Sequence, residues 1–190
     1  MDKEGGISEI KKEVESCKKC DLWKTRKIPV PGEGSLHPKV MFIGEAPGFN
    51  EDLQGKPFVG KAGKVFDELL KSIGIDRRDI YITNILKCKP PENRSPKTEE
   101  IKACTPYLDS QIAIIKPKII VTLGSFSMSY IFDKFGLKQG KISSLHGRVF
   151  NLTNLAGIEK IIPLYHPAVA TYNLGMKSIL LQDFKSITVG

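Results

Sequence analysis

Residues 39–60 read KVMFIGEAPGFNEDLQGKPFVG. Residues 40–43 form a short apolar run that stops at Gly44, the pattern of a buried strand closed by a turn. Gly44-Glu45-Ala46-Pro47-Gly48 follows. Glycine lets backbone approach a ligand closely, and proline stiffens the turn. Glu51 and Asp52 come next, then Gly55-Lys56-Pro57-Phe58-Val59-Gly60. A core strand emptying into a rigid loop with a carboxylate and a bracketed aromatic has the form of a pocket wall. An ordinary βα turn carries the same local signature.

Outward from this stretch the form repeats. Residues 79–86, 118–123 and 160–165 are further short runs rich in β-branched and apolar residues. Helical spacing marks residues 7–19, with Ser8 as a cap, and then 61–73, 98–115, 125–135 and 171–187. Residues 21–38 read as irregular, and the Gly-punctuated segment 136–157 has room for a β ribbon around 148–152. Strands alternating with helices predict an α/β fold, a three-layer sandwich with a central four-stranded parallel sheet, in one domain covering residues 1–190. The unusual residues, Gly44-Glu45, Asn84, Gly124 and His166-Pro167, all fall at or just past the C-terminal ends of these strands. In open α/β sheets that edge is where ligands bind.

The apolar share of 41% and charged share of 26% are those of a soluble globular chain. No apolar run approaches the roughly 20 residues of a membrane span. The first residues, MDKEGGISEI, lack an apolar signal region, so a cytoplasmic protein with no membrane partner is expected. A net charge of +8 with a pI near 9.3 favours a polyanionic partner, nucleic acid before membrane; a lysine-rich solvated surface is the plainer account.

Cys17-Lys18-Lys19-Cys20 is a C-x2-C pair, and Cys88 and Cys104 stand far along the chain. In a cytoplasmic chain such cysteines argue against disulfides. Zinc and an iron–sulfur cluster both accept four cysteines, and spacing does not separate them. The second pair is not a C-x2-C, so this is no standard zinc ribbon. Ordinary buried thiols at Cys88 and Cys104 are the alternative. Lys18, Lys19, Lys87 and Lys89 flank the cysteines, suited either to offset a thiolate-ligated centre or to track a phosphate backbone. Distance in sequence from the strand-end residues points to a structural role.

Residues 55–61, GKPFVGK, match half of a phosphate-binding loop, but Ala62 stands where a magnesium-binding hydroxyl belongs. Pro57 also removes an N–H such a cradle uses. Nucleotide hydrolysis is excluded.

GEAPG at the first strand end, GKPFVG after it, TNILKCKPP at the second, HPA at the fourth and the four cysteines together resemble the family 4 uracil-DNA glycosylases. The motifs span residues 17–168, and their combination is specific although each piece alone is not. The resemblance implies a uracil-DNA glycosylase-like fold and removal of uracil flipped out of DNA, single- or double-stranded, by a monomer. It implies that Phe58 stacks on uracil, an interaction worth roughly 1–3 kcal/mol that every base can make. Asn84 would then choose uracil by accepting from N3–H and donating to O4, a pattern cytosine reverses. Glu51 would lie near uracil C5, and Gly44 near the sugar. His166 would stabilise charge gathering on O2. Related families orient water with an aspartate where this chain has Ala46, so Glu45 is the carboxylate expected to take that task. A [4Fe–4S] cluster on Cys17, Cys20, Cys88 and Cys104 is implied, with zinc the lesser expectation. DNA contact is expected from residues 94–96, 124–125 and 168–173, with Val169 or Tyr172 filling the gap left by the flipped base.

Each residue has a plainer reading. Asn84 suits a strand-end turn, His166 a backbone cap before Pro167, Phe58 the core and Glu45 the surface; His37 and His146 show no partner in sequence. A non-catalytic nucleic-acid-binding module stabilised by a metal, or a redox iron–sulfur protein, would explain the charge and cysteines but not the strand-end set.

Overall fold

The computed structural model describes residues 2–153 and 157–188. Strands β1 (Glu33–Gly34), β2 (Val40–Gly44), β3 (Tyr81–Asn84), β4 (Ile119–Leu123), β5 (Phe150–Asn151) and β6 (Lys160–Leu164) form one sheet in the order β1-β3-β2-β4-β6-β5. The inner four are the expected parallel strands, with Gly44 opposite Asn84 and Leu123 opposite Leu164. The sheet is nevertheless mixed and six-stranded, because β1 and β5 add short antiparallel edges. The β5 edge is the ribbon anticipated around residues 148–152; β1 rises from the stretch read as irregular. Gly34 makes that edge possible, since at φ 129° a side chain there would collide with the Ile80 carbonyl. Residues 154–156, within the Gly-punctuated segment, lie outside the described residues.

Every residue of β2, β3 and β4 is buried, as befits strands covered on both faces. The helices are α1 (Lys3–Ser16), α2 (Phe49–Gln54), α3 (Lys61–Ser72), α4 (Thr98–Ile115), α5 (Ser125–Lys134), α6 (Ile142–Leu145), α7 (Val169–Tyr172) and α8 (Gly175–Phe184). Phe42, Val121 and Ile162 point to one face, where Phe66 and Leu69 of α3 and Leu180 and Phe184 of α8 cover them. Met41, Ile120 and Ile161 point to the other, under Leu108 and Ile112 of α4 and Ile131 and Phe132 of α5. Each such side chain stabilises the sandwich by about 1.5–3 kcal/mol. Outside these layers α1 lays Ile10 and Val14 on Tyr107 of α4, beside Leu22, Cys88 and Cys104.

Local differences from the sequence reading have physical causes. Helix α1 starts earlier than residue 7, capped by Asp2, whose Oδ1 accepts from the Gly5 amide at 2.8 Å; Ser8 is not the cap. The acidic segment after Gly48 is helical, with Asp52 buried and accepting from the Lys27 amide at 3.0 Å. The single helix expected over 171–187 is two, broken where Asn173 turns extended. The second strand is shorter than 79–86: residues 77–79 form a helical turn before it, and beyond Asn84 the Ile85 and Leu86 amides still donate to the Gly44 and Glu45 carbonyls, both at 3.0 Å, as the chain turns away. Among the described residues no helix is long and apolar enough to cross a membrane.

Candidate active site

Gly44 ends β2 directly opposite Asn84 of β3. A Cβ at Gly44 would strike Asn84 Oδ1 and meet the Phe58 ring at 3.1 Å, so the missing side chain is what lets amide and ring meet over the strand end. Asn84 is 2% exposed, and among the described residues its Oδ1 has no hydrogen-bond partner. A buried acceptor left unpaired costs about 1–3 kcal/mol. Such a cost persists in a fold where something else supplies the donor.

Phe58 belongs both to the core and to the cleft. Its ring lies 5.0 Å from Phe66, which packs edge-on against Phe42, and 5.5 Å from the His166 imidazole at 24°. Its backbone sits at φ 51°, a left-handed conformation rare for a bulky residue. Three neighbours impose it. Arg77 donates to the Phe58 and Pro57 carbonyls at 3.0 and 2.6 Å while pairing with Asp67 at 2.8 Å. Glu51 Oε1 accepts from the Val59 and Gly60 amides at 2.9 and 2.8 Å. Gly63 of α3 leaves room for the Phe58 carbonyl.

His166 follows β6 and rests against Gly124 beyond β4. Its Nδ1 accepts from the Ala168 amide at 3.1 Å, so the neutral ring carries its proton on Nε2. Burial pushes its pKa down to about 4, with the Glu51 charge opposing. The ring is therefore a neutral donor near pH 7. The backbone cap anticipated for His166 is present, and it is what fixes the tautomer.

A cleft of about 380 Å³ opens over these groups. Glu45, Glu51, Phe58, Asn84 and His166 line it, with Ala46, Arg94, Val169 and Tyr172 around them. Burial raises the pKa of Glu45. Arg94 is committed to the buried Glu100 at 2.6 Å, which seats its guanidinium on the cleft wall. Tyr172 at the end of α7 and Leu174 just beyond it are 77% and 85% exposed. Leu174 was not singled out in the sequence, and only its exposure marks it. His146, without a partner in sequence, lies 2.7 Å from Asp183 and against Tyr165.

The four cysteines gather elsewhere, around one small cavity with Val14, Leu22, Arg26, Lys87 and Tyr107. Arg26 donates to Cys88 Sγ at 3.0 Å, and the Lys87 amide to Cys104 Sγ at 3.2 Å. Burial raises the thiol pKa values of Cys20 and Cys88 and pushes Cys104 up to about 12. Among the described residues, no group of three or more His, Cys, Asp or Glu is disposed to hold a metal ion. Lys18 and Lys19 lie over Trp23 and Tyr107, whereas Lys87 is 1% exposed and so out of reach of a phosphate backbone.

Residues 31–185, which include every strand and cleft residue above, match the model of the uracil DNA glycosylase superfamily. The chain belongs to that superfamily. Within it, the chain is 50% identical to a type-4 uracil-DNA glycosylase of Sulfurisphaera tokodaii over 95% of its own length and 83% of the relative's. It is 49% identical to the type-4 enzyme of Saccharolobus solfataricus over 94% of this chain and 83% of that one. A type-4 enzyme of Thermotoga maritima is 40% identical over 93% and 90%. Type-5 uracil-DNA glycosylases stand further off, at 28% identity for that of Pyrobaculum aerophilum over 87% of this chain. The superfamily fold agrees with the observed sheet, its cleft at the strand ends.

Proposed function

We propose that this protein is a uracil-DNA glycosylase of the type-4 kind, acting as a monomer in the cytoplasm on uracil everted from single- or double-stranded DNA. The buried, unpartnered Asn84 Oδ1 beside an aromatic ring and a neutral imidazole carries the reading. A uracil stacked on Phe58 offers N3–H to that oxygen, while cytosine presents a bare N3 and leaves it unpaired.

The chemistry follows from the same groups. As the bond between C1′ and N1 breaks, its electron pair passes to the base and charge collects on O2, where the Nε2–H of His166 donates. The imidazole begins neutral and needs no proton transfer to act. Water adds to C1′ and gives up a proton, the released uracil anion takes one up, and an abasic site and neutral uracil remain. Of the two carboxylates that line the cleft, Glu45 directly follows β2 and takes the task of orienting that water and stabilising the cationic sugar, since Glu51 is engaged with the Val59 and Gly60 amides. Glu51 and Gly44 shape the wall near C5 and the sugar.

Cys17, Cys20, Cys88 and Cys104 would hold a [4Fe–4S] cluster. Four thiols around one cavity, with N–H donors on Cys88 and Cys104, suit a polynuclear cluster in which each iron takes one thiolate; a lone zinc needs its ligands drawn together. When bound, such a cluster supplies a covalent tie between α1, the segment after β3 and α4.

The test is cleavage of uracil-containing oligonucleotides followed by alkali, with thymine and cytosine strands as controls. Strand breaks that require both uracil and the protein are expected; DNA binding without base release would favour a non-catalytic module instead.

A further inference from the structure

Lys87 is the one lysine drawn fully inside the fold among the described residues. Its Nζ donates to Thr83 Oγ1 at 2.6 Å and to the Asn84 carbonyl and Gln111 Oε1, each at 2.8 Å. An ammonium has three donors, and all are used. The acceptors are themselves fixed. Thr83 Oγ1 donates to the Pro31 carbonyl at 3.1 Å, and Gln111 Nε2 donates to the same carbonyl at 2.7 Å and to the Tyr81 hydroxyl at 3.2 Å. The Lys87 carbonyl in turn accepts from the Val30 amide at 2.7 Å.

A buried ammonium is costly unless it is balanced, and a methionine of similar length would fill this space without that cost. The grip of Lys87 on Asn84 falls at the last residue of β3, where the next amide, that of Ile85, donates to the Gly44 carbonyl and so makes the final bond to β2. Holding the Asn84 carbonyl there fixes the peptide plane after Asn84 and so the direction in which its side chain leaves the strand.

We propose that Lys87 is a positioning residue for base reading: its buried ammonium locks the Asn84 main chain so that the Asn84 amide is aimed across Gly44 before uracil arrives. The inference rests on Asn84 being the reader. It places Lys87 between the cleft and the cysteines and gives the segment joining them a task in the reaction.

Steady-state excision of uracil from an oligonucleotide by Lys87→Met, Asn84→Ala and the double variant tests it, with iron and sulfide content and thermal melting measured for each protein. Misaiming a group near the reacting centre costs on the order of 10- to 100-fold in kcat. Lys87→Met is expected to lose that much with KM nearly unchanged. The double variant is expected to be no slower than Asn84→Ala alone, because the amide that Lys87 aims is already gone. A full rate in Lys87→Met, or a double variant slowed by the product of the two single effects, would overturn the proposal. A full rate in Asn84→Ala would instead remove the reader assignment, visible before any Lys87 variant is made. Where Lys87→Met does not fold, Gln111→Leu, which deletes one of the three acceptors, takes its place in the same cycle under the same criteria.

Discussion

The rings of Phe58 and His166 face one another 5.5 Å apart and 24° from parallel, although they lie 108 positions apart in the chain. One comes from a strained turn ahead of α3 and the other from the end of β6. Neither ring has freedom to adjust: Arg77 and Glu51 fix the first, the Ala168 amide the second. The cleft is preorganised, and its weak points are the groups that do the fixing.

Gly44→Ala should fold and fail. The new methyl meets Asn84 Oδ1 and the Phe58 ring, so amide and ring must part. Displacement on this scale should lower the excision rate on the order of 10²-fold. Wild-type kinetics for this variant would show that Asn84 and Phe58 do not work together.

His166→Ala should lose about 10²–10³ in rate, the usual cost of one donor to a developing oxyanion. The pH dependence has a definite sign. Folding lowers the His166 pKa from 6.5 to about 4, so the unfolded chain binds this proton more readily. The resulting stability is fully present above 6.5 and is lost as pH falls toward 4. Melting temperatures of the parent should therefore drop across that window more than those of His166→Gln. A parent and variant that fall in parallel would contradict it.

Arg77→Met releases the Pro57 and Phe58 carbonyls and leaves a left-handed bulky residue less supported. A conformation of that type costs on the order of 1–3 kcal/mol, and the melting temperature should fall accordingly. Arg77→Lys should not restore it, because one ammonium does not reproduce the forked reach of a guanidinium. Full rescue by lysine would reduce Arg77 to a charge on the surface.

Replacing Cys17 or Cys88 by serine should lower bound iron and sulfide, bleach the visible absorbance of the purified protein and lower its melting temperature. Since the proposed cluster would tie α1 to the segment after β3, proteolysis near residues 17–26 should quicken as well. A parent that carries zinc, or no metal at all, would dismiss the cluster.

The parallel core was readable because its strands are buried on both faces and so spell continuous apolar runs. Gly44, Asn84 and His166 were readable because they interrupt those runs at one edge. Arg77 was not, since its task depends on a positive φ at Phe58 that no residue type announces. In sequence Lys87 reads only as a cation beside the cysteines, offsetting their charge or tracking a phosphate backbone, because its burial depends on Thr83 and Gln111, which approach it only after folding. His146 seemed unpartnered because Asp183 is 37 residues away. The split of the last helix into α7 and α8 follows from an extended residue at Asn173 that helical periodicity passed over.

Glu51 has one oxygen turned to the turn that carries Phe58 and a carboxylate facing the cleft. On the proposed stacking of the base on Phe58, a designer who shortens Glu51 to admit a bulkier pyrimidine would thereby unfasten the shelf that is to carry it. Broader substrate range at this position therefore comes with a looser seat, and a useful variant will need a second anchor for the Val59 and Gly60 amides.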